Sequence, residues 1–171
     1  EFKDPTTLIF KLQKGVKFHN GDELKASDVV FSINRMKNKP ASMVMVDPIS
    51  GVEALDDYTV KITLSKPFSS ILYNLAHPRT SILNERSVKE QNDDLSIAGI
   101  GTGPFKLIEW GTGEQITLES FKDHFQGAPK FDKLLVKTIT ENTARAMALE
   151  AKDIDIAYTV APIDLENLKN N

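Results

Sequence analysis

The sequence predicts a mixed α/β fold, and three observations carry that prediction. Short stretches alternate with period two, as Leu8, Phe10 and Leu12 do against Thr7, Ile9 and Lys11, which is the pattern of a half-buried strand. Between such stretches lie segments of helical period, the clearest being "ASDVVFSINRMKN", which sets Ala26, Val29, Ile33 and Met36 on one face. With 40% hydrophobic and 26% charged residues among 171, the composition is that of a globular chain and not of a disordered one.

The elements follow in order. The first strand, "TLIFKLQ", runs into "KGVKFHNGDEL", where Asn20-Gly21 is a turn dipeptide. The helix after it carries Asp28 in its first turn, where the helix dipole favours a negative charge, and Pro40 marks its end. The run "MVMV" at 43–46 has two readings, an adaptable methionine contact surface or a covered core segment, and the second is favoured. "ISGVEALDDYTVKITLS" reads as strand, Asp56-Asp57 turn and strand, with Val60, Ile62 and Leu64 on one face. A short helix over "FSSILYNLA", an extended piece around "TSILN" and a helix over "ERSVKEQ" complete the first part. Three strands come next, "FKLIEW", "QITLES" and "KLLVKTI", with a polar, aromatic loop "FKDHFQGAPKFD" before the last. The helix "NTARAMALEA" is expected to bury Ala144, Met147, Ala148 and Ala151; "DIDIA" reads as a short strand and "PIDLENLKN" as a closing helix with Pro162 early in it. The seam between the two textures falls at residues 98–104.

That seam holds the glycines of "GIGTGPFK", residues 99–106, which invite a phosphate-loop reading and do not support it. Gly103 is followed by Pro104 and Phe105 where such a loop needs Lys and then Ser or Thr, and Gly99, Gly101 and Gly103 miss the dinucleotide spacing. Glycines that lead into a strand supply tight turns and unusual backbone angles, so a sharply bent entry is expected here. His19, His77 and His124 are far apart without a second ligand at helical spacing, and read as surface or turn residues. No G-x-S-x-G elbow is present. The carboxylates sit in turns (Asp56, Asp57, Asp93, Asp94), in caps, or on one face of the expected "DIDIA" strand (Asp153, Asp155). Zero cysteines exclude thiol chemistry, and a net charge of −3 without a basic block argues against nucleic acid. No apolar run approaches the roughly 18 residues of a membrane span. The residues favour binding over catalysis, with no metal or cofactor expected. The chain opens abruptly on "EFKDPTTLIFKL" and reads as part of a longer protein.

Four ordered stretches together resemble the large solute-binding proteins that feed peptides and nickel to ABC importers, family 5 of the extracytoplasmic binding proteins. They are "LIFKLQKGVKFHNGDELKASDVVFSINRM", "VEALDDYTVKITLSKPFSSIL", "GTGPFKLIEW" and "TARAMALEAKDIDIA". The resemblance covers essentially the whole chain. It implies a periplasmic-binding-protein-like fragment of lobe I: a smaller mixed α/β subdomain over residues 1–100, then part of the main lobe over 101–171, with the second lobe absent. Gly101, Thr102, Gly103 and Pro104 are then the crossover between the two.

By the same resemblance the protein is not an enzyme. It binds peptides outside the cytoplasm, in a periplasm or as a cell-surface lipoprotein, by two-lobed closure, and delivers them to permease and ATPase subunits. Nickel chelates or other small solutes such as glutathione or opines are the alternative ligands; from another class, a ligand-sensor domain or a hydrolase is the competitor. The ligand-binding candidates are Arg79, whose proline-arginine context resembles nickel-type members, with Met45 and Tyr158. Two departures stand out. Lys152 occupies a position where the family usually has glycine, so α-helix "NTARAMALEA" is expected to end differently. His124-Phe125 replaces a tyrosine-tryptophan pair.

Overall fold

The computed structural model describes residues 1–94 and 100–169. Ala98 and Gly99, at the expected seam, lie outside the described residues. The chain divides into two compact units, Glu1–Ile108 with Leu118–Leu134, and Glu109–Thr117 with Leu135–Asn171.

The first unit is built on a four-stranded sheet of order β1-β2-β4-β3, comprising β1 Phe2–Asp4, β2 Thr7–Lys11, β3 Ile49–Asp56 and β4 Thr59–Leu64. β4 is central and antiparallel to both neighbours: Leu8 pairs with Ile62, Phe10 with Val60, and Val52 with Ile62 from the other side. This register puts the alternating apolar residues on one face, and Val60, Ile62 and Leu64 are only 0, 2 and 3% exposed. Helix α1, Ala26–Met36, closes that face with the predicted stripe of Ala26, Val29, Ile33 and Met36, all buried. Burying each larger apolar side chain in this layer contributes about 1.5–3 kcal/mol.

Pro40 does more than end α1. It opens a second helix, α2 Pro40–Val46, as its first helical residue, where its missing N–H costs nothing and its fixed φ suits the helix. The expectation of a covered "MVMV" is therefore met by Val46 alone: Met45 is half-buried, and Met43 and Val44 are 45 and 70% exposed, since a two-turn helix turns one face to the core. Helix α3, Ile71–Leu75, is shorter than the predicted span and leads into a 3₁₀ turn at Pro78–Thr80. Helix α4, Glu85–Glu90, is capped by Asn84, whose side-chain oxygen accepts from Ser87 N–H at 2.8 Å.

A second sheet orders β5 (Phe105–Gly111), β6 (Gln115–Ser120) and β7 (Lys133–Lys137), as the three predicted strands require. The turn between β5 and β6 needs two glycines. Gly113 has φ +78°, and a Cβ on Gly111 would stand 3.1 Å from the Gln115 carbonyl oxygen.

The second unit carries α5, Asn142–Glu150, and α6, Pro162–Lys169. The buried face of α5 differs from the expected one. Ala146 is buried with Ala148 and Leu149 half-buried, whereas Ala144, Met147 and Ala151 are exposed. Apolar residues lie all around this helix, so spacing admitted several faces, and packing against α6 helped to select one. "DIDIA" is not a strand: the Asp153 and Ile154 N–H groups both turn back to the Ala148 carbonyl and close the helix, so Asp153 and Asp155 share no strand face.

Candidate functional site

The segment Gly101–Pro104 is held from a distance. His19 opens the turn that precedes α1, and its backbone N–H donates to Gly101 O at 2.9 Å while its Nε2 lies 2.9 Å from Gly103 O. The arrangement fits the Nε2–H tautomer, leaving Nδ1 to accept the Gly101 N–H at 3.4 Å. The ring stands edge-on to Phe121, centroids 5.1 Å apart, and Phe121 N–H donates to Pro104 O at 2.8 Å. Gly101 and Gly103 do not show the expected unusual angles: among the described residues the glycines with positive φ are Gly15, Gly21, Gly113 and Gly127. A Cβ on Gly103 would meet nothing within 4 Å. Among the described residues, then, the path of this segment is set by His19 and Phe121 and not by left-handed glycine. His19 is also more than the surface or turn histidine that spacing implied.

Met45 and Arg79 are brought to one surface of the first unit. α2 packs on both α3 and the 3₁₀ turn. Ser42 Oγ donates to Arg79 O at 3.1 Å, Arg79 Nη1 donates to Ala41 O at 3.3 Å, and Asn74 Nδ2 donates to Met45 O at 3.0 Å. The Arg79 backbone is set by His77, whose Nδ1 accepts its N–H at 3.1 Å. Met45 sits one helical turn beyond Ala41, half-buried, and Arg79 is exposed. These bonds hold the backbones of Arg79 and Met45 and leave the Arg79 side chain largely in solvent.

Tyr158 belongs to the second unit, in the loop between α5 and α6, and is 88% exposed. The loop starts with a left-handed Lys152, φ +60°. Lys152 N–H donates to Leu149 O and Asp153 N–H to Ala148 O, the two bonds of a Schellman cap. The helix therefore ends in the glycine-type geometry, with lysine in place, which overturns the expectation of a different ending. Farther on, Thr159 is also left-handed, φ +60°, a conformation that costs a β-branched residue on the order of 1–3 kcal/mol. Arg145 of α5, missed by the sequence reading, donates from Nε and Nη2 to Thr159 O at 3.2 and 2.9 Å. Only the helical position of an arginine could have flagged it.

A charged groove lies at the N-termini of α1 and α4, but its groups are committed to one another. Asp28 accepts the Lys25 and Glu85 N–H groups at 2.9 Å each, and Arg86 pairs with Asp22 at 2.9 Å. Nearby, Glu23 accepts from Gly15 N–H and Tyr58 OH and pairs with Lys25 at 3.1 Å. The Gly15 hydrogen bond, followed by Lys25 and Tyr58, brings the Glu23 carboxyl down to about 2. These features tie the turn to the helix. His124, tilted against Phe125 with centroids 4.6 Å apart, has Nδ1 3.2 Å from Gly127 O and likewise closes its own loop.

Comparison with known proteins gives the context for these surfaces. Residues 1–171 match the family model described as bacterial extracellular solute-binding proteins, family 5 middle. The glutathione-binding protein GsiB of Pectobacterium atrosepticum is 32% identical over 170 residues, covering 97% of this chain and 32% of that protein. Among solved structures, the periplasmic binding protein DppA of Helicobacter pylori in complex with the peptide STSA superimposes with TM-score 0.90 at 33% identity, over 99% of this chain and 38% of that one. NikZ of Campylobacter jejuni in complex with Ni(L-His) gives TM-score 0.81 at 28% identity, over 90% of this chain and 32% of that one. The chain spans about a third of the length of the curated relatives it matches.

Proposed function

The chain belongs to family 5 of the bacterial extracellular solute-binding proteins, and on that premise we propose that it is part of the first lobe of a two-lobed protein that captures short peptides. The complete protein works outside the cytoplasm, in a periplasm or on a lipid anchor, and hands its ligand to the permease and ATPase of an ABC importer. Its smaller subdomain is residues 1–100, its main-lobe segment 101–171, and Gly101, Thr102, Gly103 and Pro104 form the crossover between them. Arg79, Met45 and Tyr158 are its ligand-contacting residues; closure of a second lobe excludes water and strengthens these contacts. Its role is binding, with no catalytic step.

The observation that carries this reading is the likeness to the peptide-bound DppA of Helicobacter pylori over 99% of the chain. The glutathione-binding relatives are consistent with it, since glutathione is itself a small peptide. The likeness to NikZ supports a second reading, a nickel–organic chelate. Arg79 serves either ligand, because both present a carboxylate to a guanidinium.

Native mass spectrometry of the complete protein, purified without refolding, tests the proposal. Retained masses of di- to nonapeptides are expected. A retained nickel–organic mass with no peptide selects the second reading. A protein that retains nothing and binds neither class in calorimetry refutes both.

A further inference from the structure

Arg145 lies in the first half of α5, half-buried, with its guanidinium fully engaged. Nε and Nη2 converge on the Thr159 carbonyl at 3.2 and 2.9 Å, Nη1 donates to Ile139 O at 2.5 Å and Thr140 O at 3.1 Å, and Nη2 also donates to Asn142 Oδ1. Three of the four acceptors are backbone carbonyls, taken from both sides of the helix in sequence. Only a planar fork with five N–H donors reaches them together; a lysine ammonium cannot.

The far acceptor is the informative one. Thr159 is held at φ +60°, and its hydroxyl donates to Tyr158 O at 2.6 Å. A β-branched residue keeps that conformation only where its surroundings enforce it, and such enforced positions gather at ligand clamps and switch regions. Yet the side chains of this loop do not pack inward: Tyr158 is 88% exposed and Ile156 86%. The backbone is fixed while the aromatic ring stays in solvent. The ring is thereby presented, in a fixed orientation, to whatever meets this loop in the complete protein.

We propose that Arg145 is a positioning residue for ligand capture: by gripping Thr159 O it holds Tyr158 in the orientation that meets the peptide. The proposal rests on the reading of Tyr158 as a ligand contact. A rigid aromatic side chain offers a broad face to a peptide plane or apolar side chain and a hydroxyl to a carbonyl, at small entropic cost. Without the fork the loop must be ordered at the moment of binding, which weakens affinity and not the interaction itself.

The test uses the complete protein with 3-fluorotyrosine placed at position 158, and the peptide Ser-Thr-Ser-Ala as probe in calorimetry. Arg145→Gln and Arg145→Lys should move and broaden the Tyr158 fluorine resonance in the free protein. Each should weaken binding by about three- to tenfold, and neither should weaken it further in a Tyr158→Ala background. An unmoved resonance, or an equal loss of affinity with and without Tyr158, overturns the proposal. If Tyr158→Ala leaves affinity unchanged, the ligand role of Tyr158 fails; if the unaltered protein does not bind the probe, the peptide reading fails. The fluorine resonance then still decides whether Arg145 holds the loop.

Discussion

His19 and Gly103, 84 residues apart in the chain, meet through a 2.9 Å hydrogen bond between the imidazole Nε2 and the glycine carbonyl. With the edge-on contact to Phe121, this histidine fastens the segment that leads into β5. His19→Ala should therefore cost about 1–3 kcal/mol, from a lost part-buried hydrogen bond and an aromatic contact. Gly103→Ala should change stability by less than about 1 kcal/mol, because its φ is ordinary and the space beside it is open. Chemical denaturation of both variants checks the contrast; a larger loss at Gly103 than at His19 reverses the assignment.

Lys152 is the left-handed residue that closes α5. Glycine takes this conformation without a Cβ penalty, so Lys152→Gly should raise stability by about 0.5–1 kcal/mol. Urea titration reads this directly, and Lys152→Ala, which keeps the Cβ, should show no comparable gain.

Glu23 links folding to acid. Its carboxyl titrates at about 2 in the folded chain against an ordinary value of 4.5, so the stability it contributes is complete above 4.5 and is lost as pH falls toward 2. Asp4, Asp56, Asp93 and Asp132 are also held below the ordinary value by hydrogen bonds, and act in the same direction. The difference in denaturation midpoint between the parent chain and Glu23→Gln should shrink between pH 5 and pH 2.5. A difference that does not depend on pH would show that the hydrogen bonds to Glu23 carry no charge preference.

Arg79 is exposed and lightly tied to Ala41. If it pairs a ligand carboxylate that becomes desolvated on closure, Arg79→Ala in the complete protein should weaken binding by about 2–4 kcal/mol. The melting temperature without ligand should stay nearly unchanged, as for most surface substitutions. Calorimetry against Ser-Thr-Ser-Ala, glutathione and nickel–histidine checks it, and unaltered affinity for all three removes Arg79 from the site.

Large apolar side chains stand in solvent on the second sheet: Ile108 is 57% exposed, Trp110 62%, Leu135 50% and Val136 46%. Exposed apolar surface on open strands tends to find partners. The 171-residue chain alone should therefore self-associate with rising concentration and bind peptides at millimolar levels or more weakly, since one wall keeps few of the contacts that offset lost ligand freedom. Sedimentation at several concentrations and calorimetry test the two halves. A strictly monomeric chain with micromolar peptide affinity would contradict both.

The sequence by itself determined the family of this protein and many, not all, of its elements. β2, β4, α1 and the three strands of the second sheet stand where period two and period 3.6 put them, because each depends on residues within a turn or a pleat of one another. Where the local signal was degenerate it could not choose. α5 is apolar on several sides, so its buried face depended on packing against α6, and "DIDIA" has strand composition but gives its first N–H groups to the helix end. Pro40 carried a legible signal that admitted two meanings, the end of one helix or the start of the next. The histidine beneath the glycine segment and the arginine that grips Thr159 were left to the tertiary structure. Nothing in the spacing of His19 from Gly103, or of Arg145 from Thr159, encodes a contact, because such pairs form only when packing of the intervening chain has brought their backbones together.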